Sequence, residues 1–125
     1  MSVQSLCPDA MARLAADAGK DMLPVLLQLY LDELNQQREA LQSAFHAADF
    51  VSMRGVAHTL KSSAATFGCE PLADAARQVE SACRDTGASS AEQVERVVRH
   101  IDPLRQSIQV WLHGDKQTEL SEGAA

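Results

Sequence analysis

His58 is the residue of this 125-residue chain whose surroundings most favour chemistry. On a helical wheel at about 100° per residue, His58 projects roughly 150° from the centre of the apolar face of its segment. An exposed neutral imidazole is a good nucleophile near neutral pH. We therefore interpret His58 as a surface nucleophile and not as a core histidine.

The side chains that share the exposed side with His58 are small or cationic. The small residues at i−3, i+4 and i+7 are Gly55, Ser62 and Ala65. They leave the imidazole accessible to a bulky partner. Arg54 at i−4 and Lys61 at i+3 add positive charge. Such cations help to keep an imidazole unprotonated and attract an anionic group, so the pattern favours phosphoryl transfer.

Turn signals and apolar spacings of three and four residues predict five helical segments. They cover about 8–17, 21–47, 49–67, 71–84 and 90–112. Four long amphipathic helices joined by short breaks favour an all-α fold, an antiparallel up-down four-helix bundle with a short extra N-terminal helix. We expect a single domain over 1–114 and a polar, disordered tail over 115–125.

The second segment carries apolar residues outside its core stripe, namely Met22, Val25, Leu29 and Leu31. Apolar surface on a second face of a helix requires a second cover. Either the short first helix or a partner protein can supply it, and the sequence leaves both open.

The run from Ala57 to Gly68, AHTLKSSAATFG, closely resembles the phosphorylation motif of histidine phosphotransfer (HPt) domains, often written AHxLKGSSxxxG. The resemblance extends upstream to Asp49 and downstream to Glu80, and it covers about residues 9–112. There are two departures. Ser62 replaces the usual glycine one turn after the histidine, and Ala64 stands where serine is common.

The resemblance implies roles for individual residues. It implies that His58 accepts a phosphoryl group on Nε2 and that Lys61 is the cation that supports this group. It also implies that Ser63 is a small helix-packing position and that Gly68 forms the turn into the next helix. Arg77, Glu80 and Arg84 share one face of the fourth segment. Glu80 and Arg84 are held only as candidates for an approach to His58, because the wheel does not tell which helices are neighbours.

The resemblance implies partners as well. These are receiver domains of response regulators, a hybrid sensor histidine kinase, or both, with Mg²⁺ supplied by the receiver. The chain has no GxxxxGK[ST] loop with which to phosphorylate itself from ATP, so we expect a phosphocarrier and not an enzyme. The alternative is a docking module in which His58 is incidental. A hydrolase is disfavoured because no oriented acid–base pair can be placed.

Composition excludes other classes. A formal net charge of −6 disfavours binding to nucleic acid and to acidic membrane surfaces. The N-terminus lacks a signal-peptide pattern, and we expect a cytoplasmic monomer without cofactor or metal. Cys7, Cys69 and Cys83 are odd in number and lack CxxC spacing, so neither a disulfide framework nor a zinc site is predicted.

Overall fold

The computed structural model describes the backbone of residues 6–124 and the side chains of residues 6–114. This part of the chain is all-helical and contains no strand, which confirms the prediction of an all-α protein. The helices are α1 (Pro8–Ala18), α2 (Leu23–His46), α3 (Phe50–Thr66), α4 (Glu70–Thr86) and α5 (Ala91–Ala124). A 3₁₀ turn, Lys20–Met22, joins α1 to α2.

Local signals in the sequence explain where the central helices begin and end. The Asp49 carboxylate caps α3 by accepting a hydrogen bond from the Ser52 backbone N–H at 3.2 Å. Pro71 lies in the first turn of α4, where its missing N–H has no intrahelical partner. Gly87 ends α4 in the left-handed conformation, with φ of 79°.

The four long helices pack in cyclic order. α3 packs most extensively on α4, α4 also packs on α5, and α5 packs on α2, which in turn packs on α3. The largest fully buried side chains come from all four helices: Leu27, Leu34, Leu41, Met53, Leu60, Leu72, Val79, Val97, Ile101, Leu104 and Ile108. Tyr30 of α2 stacks on Phe67 with ring centroids 4.2 Å apart. The predicted core faces of α2 and α3 therefore point inward.

The additional apolar residues of α2 are only partly covered. Leu31 is buried. Met22, Val25 and Leu29 are 43%, 47% and 60% exposed although α1 packs on α2 and on the 3₁₀ turn. These three residues form an exposed apolar stripe at the N-terminal end of α2, which we call the α2 stripe.

The predicted end of the last helix near Leu112 was wrong, because α5 continues to Ala124. A single glycine inside a helix costs only about 1 kcal/mol, so Gly114 does not terminate it in the absence of a following proline. The side chains of 115–124 and all of residue 125 lie outside the described part of the chain. The disordered tail over 115–125 and the domain limit at 114 therefore stay predictions. Within the described part, no helix combines the length and apolar character needed to cross a membrane.

Candidate functional site

His58 lies on the solvent side of α3, and 61% of its side chain is exposed. Its surround is small, as predicted. Ser62 and Ala65 are exposed on the same side. A Cβ added to Gly55 would meet no atom within 4 Å. The imidazole is therefore open to the approach of another protein.

Glu80 of α4 joins His58 to Lys61. Its Oε2 lies 2.8 Å from His58 Nδ1, and its Oε1 lies 2.7 Å from Lys61 Nζ. Only 13% of the Glu80 side chain is exposed. Because α3 and α4 form the most extensive helix pair of the fold, the helix packing holds this carboxylate against both α3 side chains.

The charge of Glu80 determines which nitrogen of His58 carries the proton. The hydrogen bond from Lys61 lowers the pKa of Glu80 most, and the hydrogen bond with His58 lowers it further. An ionised carboxylate can only accept hydrogen bonds, so we assign the proton of a neutral His58 to Nδ1. The lone pair then lies on Nε2, which makes no hydrogen bond among the described residues. This tautomer exposes a nucleophilic nitrogen to solvent.

Neither Arg54, four residues before His58, nor Arg84, a candidate for an approach to it, binds His58. Arg84 Nε lies 2.9 Å from Asp85 Oδ1 in an exposed ion pair. Arg54 is exposed, and its charge lowers the pKa values of Cys83 and Asp85. It therefore lies alongside the C-terminal half of α4. Both cations belong to the rim around His58 and not to its hydrogen-bonded partners.

Two further motif residues connect helices. The Ser63 hydroxyl donates a short hydrogen bond to the Glu33 carboxylate of α2. Sequence reasoning did not single out Glu33, since nothing in its local pattern separates it from other polar positions of α2. Gly68 lies between α3 and α4 with φ of 72°, and a Cβ there would come within 2.8 Å of the Cβ atoms of Cys7 and Ala10. Gly68 thus makes the turn and also allows α1 to approach it.

No group of three or more His, Cys, Asp or Glu side chains able to hold a metal ion occurs within the described residues. What the site offers instead is a surface imidazole, oriented by a carboxylate and bordered by cations, on a helical scaffold. An exposed, oriented imidazole of this kind is chemically suited to nucleophilic attack and to carrying a group on its free nitrogen.

Comparison with known proteins identifies the family. The family model of the Hpt domain matches residues 25–110. A phosphorelay protein LuxU from Vibrio vulnificus is 34% identical over 101 residues, which cover 81% of this chain and 86% of the relative. The LuxU of Vibrio cholerae is also 34% identical over 101 residues, 78% of this chain and 85% of that protein.

A solved structure shows the same fold. The crystal structure of histidine-containing phosphotransfer protein B (HptB) from Pseudomonas aeruginosa superposes with a TM-score of 0.79. The sequences are 23% identical, and the match covers 86% of this chain and 94% of that one. The chain belongs to the Hpt domain family and is a histidine phosphotransfer protein of a phosphorelay. Such carriers are phosphotransfer intermediates and not kinases.

Proposed function

We propose that His58 is the phosphoacceptor, and that its Nε2 takes the phosphoryl group from a receiver-domain aspartate and passes it to a response regulator. The observation that carries this proposal is the hydrogen bond between Nδ1 and the ionised Glu80. That bond leaves Nε2 as the nucleophile on an exposed side chain. The family resemblance of the motif around His58 points to the same nitrogen.

The transfer requires no proton to leave the ring. Nε2 attacks phosphorus, a nitrogen–phosphorus bond forms, and the bond to the donor carboxylate oxygen breaks. The proton stays on Nδ1, so the phosphorylated ring carries a positive charge that faces Glu80. A carboxylate next to a forming cation stabilises it. The acceptor aspartate reverses these steps, and neutral His58 leaves with its proton still on Nδ1.

Cations near His58 serve the phosphoryl group in this proposal. Lys61 Nζ lies 2.7 Å from Glu80 Oε1, so its positive charge balances the negative charge of this carboxylate. Lys61 also lies one helical turn after His58. Without that neutralisation the carboxylate would repel the incoming phosphoryl group. Arg54 and Arg84 add positive charge at the opposite end of the site. We assign Lys61 the supporting role and the two arginines an attracting role.

We further propose that the receiver docks over the His58 face and the adjoining α2 stripe. Glu33 follows Leu29 by one helical turn and binds Ser63, next to Ser62. The stripe therefore adjoins the α3 face that carries the histidine. Exposed apolar side chains in a group are typical of protein-binding surfaces.

A receiver supplies Mg²⁺, which neutralises the transferring phosphoryl oxygens, and this chain needs no ATP site of its own. The protein acts as a cytoplasmic monomer. The cyclic helix packing and the short connections support an antiparallel up-down four-helix bundle with α1 as an extra helix.

The experiment is phosphorylation by a phosphorylated receiver domain, with analysis of acid-labile, alkali-stable phosphate. Wild-type protein should be labelled, and His58→Gln should carry no label. The matched control is His46→Gln at the exposed C-terminal end of α2, which should be labelled like wild type. Label on His58→Gln would overturn the assignment. If His58→Gln kept its biological activity, the docking module would be the better description.

A further inference from the structure

Two of the three thiols lie at the place where α1 rests on the turn between α3 and α4. Cys7 directly precedes α1, and its Sγ lies 3.3 Å from the point where a Cβ on Gly68 would stand. Cys69 follows Gly68 in the chain and precedes α4. Only a glycine at 68 admits Cys7 this closely, so the close approach of Cys7 to the turn is built into the fold.

The two thiols differ in access. Cys7 is half-buried, whereas Cys69 is 2% exposed. Burial raises the pKa of Cys69 to about 11. The neighbouring Tyr30 hydroxyl lowers this pKa, and the charge of Cys7 raises it. A small oxidant in solution therefore meets Cys7 first, and Cys69 stays protonated until a reaction partner reaches it.

Tyr30 adds an independent observation. Its side chain is 3% exposed, and its hydroxyl is buried with no hydrogen-bond partner among the described residues. Burial raises the pKa of Tyr30, and the neighbouring Cys69 raises it further. A buried hydroxyl without a partner is rare in native proteins and calls for an explanation. Beside Cys69, this donor is placed to stabilise negative charge that develops on the sulfur.

We propose that Cys7 and Cys69 are a peroxide-sensitive pair that closes into a reversible disulfide and tethers α1 to the α3–α4 turn. The Cys7 thiolate attacks one peroxide oxygen, the oxygen–oxygen bond breaks, and sulfenic acid and hydroxide form. Cys69 sulfur then attacks Cys7 sulfur, and the sulfenic hydroxyl leaves with the Cys69 proton as water. Two thiols are oxidised and one peroxide is reduced to two waters.

This pair is a modification site and not a structural bond, since both thiols are free in the structure. The disulfide would close a loop of about 60 residues, which restricts the unfolded chain and stabilises the folded one. We expect the thermal midpoint of the oxidised protein to rise by several degrees.

The test is native treatment of the reduced full chain with hydrogen peroxide, followed by trypsin under non-reducing conditions. Cleavage after Arg13, Lys61, Arg77 and Arg84 separates the thiols into peptides 1–13, 62–77 and 78–84. We expect a linked pair of 1–13 with 62–77 that dithiothreitol releases. The same treatment in urea should scramble the linkage and include 78–84, which contains Cys83.

Variants make the result specific. Cys83→Ser, at a buried thiol on α4, should keep the link and the rise in midpoint. Cys7→Ser and Cys69→Ala should lose both, and their circular dichroism checks that they fold. Tyr30→Phe should slow closure of the link. Oxidation of Cys7 alone to sulfinic acid, or links only between two copies of 1–13, would overturn the proposal. Phosphotransfer through His58 is tested separately and does not depend on this outcome.

Discussion

Glu80 affects His58 in two ways. It favours the proton on Nδ1, and it supplies a negative charge beside the ring, which becomes cationic in the proposed transfer. The carboxylate is 13% exposed, so water screens this interaction less than it screens a surface pair.

Glu80→Gln should therefore slow phosphorylation of His58 and lower its phosphorylated fraction at equilibrium. A charge-assisted hydrogen bond that is partly exposed is worth about 1.4 kcal/mol more than a neutral one, which corresponds to about tenfold. The rate is measured with a phosphorylated receiver domain. Nitrogen-15 NMR of His58 should show the Nδ1–H tautomer in wild type and a mixture in the variant.

The control for this variant is Glu95→Gln, an exposed position on α5 that should change neither the rate nor the tautomer. A merely structural role for Glu80 would change the stability and leave the tautomer as it is. An unchanged tautomer in Glu80→Gln would thus remove Glu80 from the positioning role.

At the scale of helices, the turn between α3, which carries His58, and α4 is also the place where α1 packs. Gly68 requires a positive φ and also leaves the space into which Cys7 and Ala10 fit. Ala10 is fully buried, so it has no room to withdraw. The same glycine therefore determines both the turn and the packing of α1.

Gly68→Ala should destabilise the protein by about 2–4 kcal/mol, the sum of a left-handed alanine and an overpacked contact. Gly87→Ala separates the two contributions. Gly87 has φ of 79° with no atom within 4 Å of an added Cβ, so its cost should be about 1 kcal/mol. Both values come from urea unfolding. Equal costs at the two positions would show that α1 does not pack tightly against Gly68.

The α2 stripe permits a second prediction at this scale. Leu29→Ser should weaken receiver binding by about tenfold or more, because a buried leucine at an interface contributes roughly 1.5–3 kcal/mol. The stability of the protein should hardly change, since Leu29 is 60% exposed. Titration calorimetry with a receiver domain measures the affinity.

Val110→Ser is the matched control for Leu29→Ser. Val110 is 66% exposed and lies on α5 instead of α2. It should leave the affinity unchanged. Equal losses from the two substitutions would contradict docking on the α2 stripe.

At the scale of the whole molecule, an ion pair links α2 to α5. Arg38 binds both oxygens of Asp102, with Nε–Oδ1 at 2.7 Å, and Arg105 contacts the same carboxylate. The hydrogen bond from Arg38 lowers the pKa of Asp102 below its ordinary 3.8. Asp102 and Glu80 thus both have folded pKa values below those of the unfolded chain.

A depressed carboxylate pKa contributes stability that is fully present above the unfolded value and is lost as the pH falls through the folded value. The free energy of unfolding should accordingly decrease below about pH 4.5, and Asp102→Asn should lose part of this dependence. At neutral pH the variant should lose only about 0.5 kcal/mol, because the pair is partly exposed. Urea midpoints from pH 3 to pH 7 measure both effects.

A double-mutant cycle with Arg38→Gln isolates the pair. The double variant should be no less stable than the worse of the two single variants. A difference between wild type and Asp102→Asn that persists at pH 3 would show that the loss comes from packing and not from charge.

Much of the site follows from the sequence, for a local reason. Backbone hydrogen bonds of a helix close within one segment, so the 3.6-residue period alone places His58 opposite the core face of α3. The same period places Gly55, Ser62 and Ala65 beside it. The resemblance around the motif then indicates phosphoryl transfer, and the family match agrees with that function.

Tertiary structure decides what depends on the order and register of neighbouring helices. The wheel places Glu80 and Arg84 on one face of α4, yet only helix packing brings Glu80 to His58 and leaves Arg84 with Asp85. The Glu33–Ser63 bond and the contact of Cys7 with the turn are of the same kind. Such contacts join residues that are distant in sequence. Their geometry depends on how the side chains of all the helices pack together in the core. The sequence by itself determined the exposed helix face that carries His58, whereas the carboxylate that orients His58 came from the packing of α3 against α4.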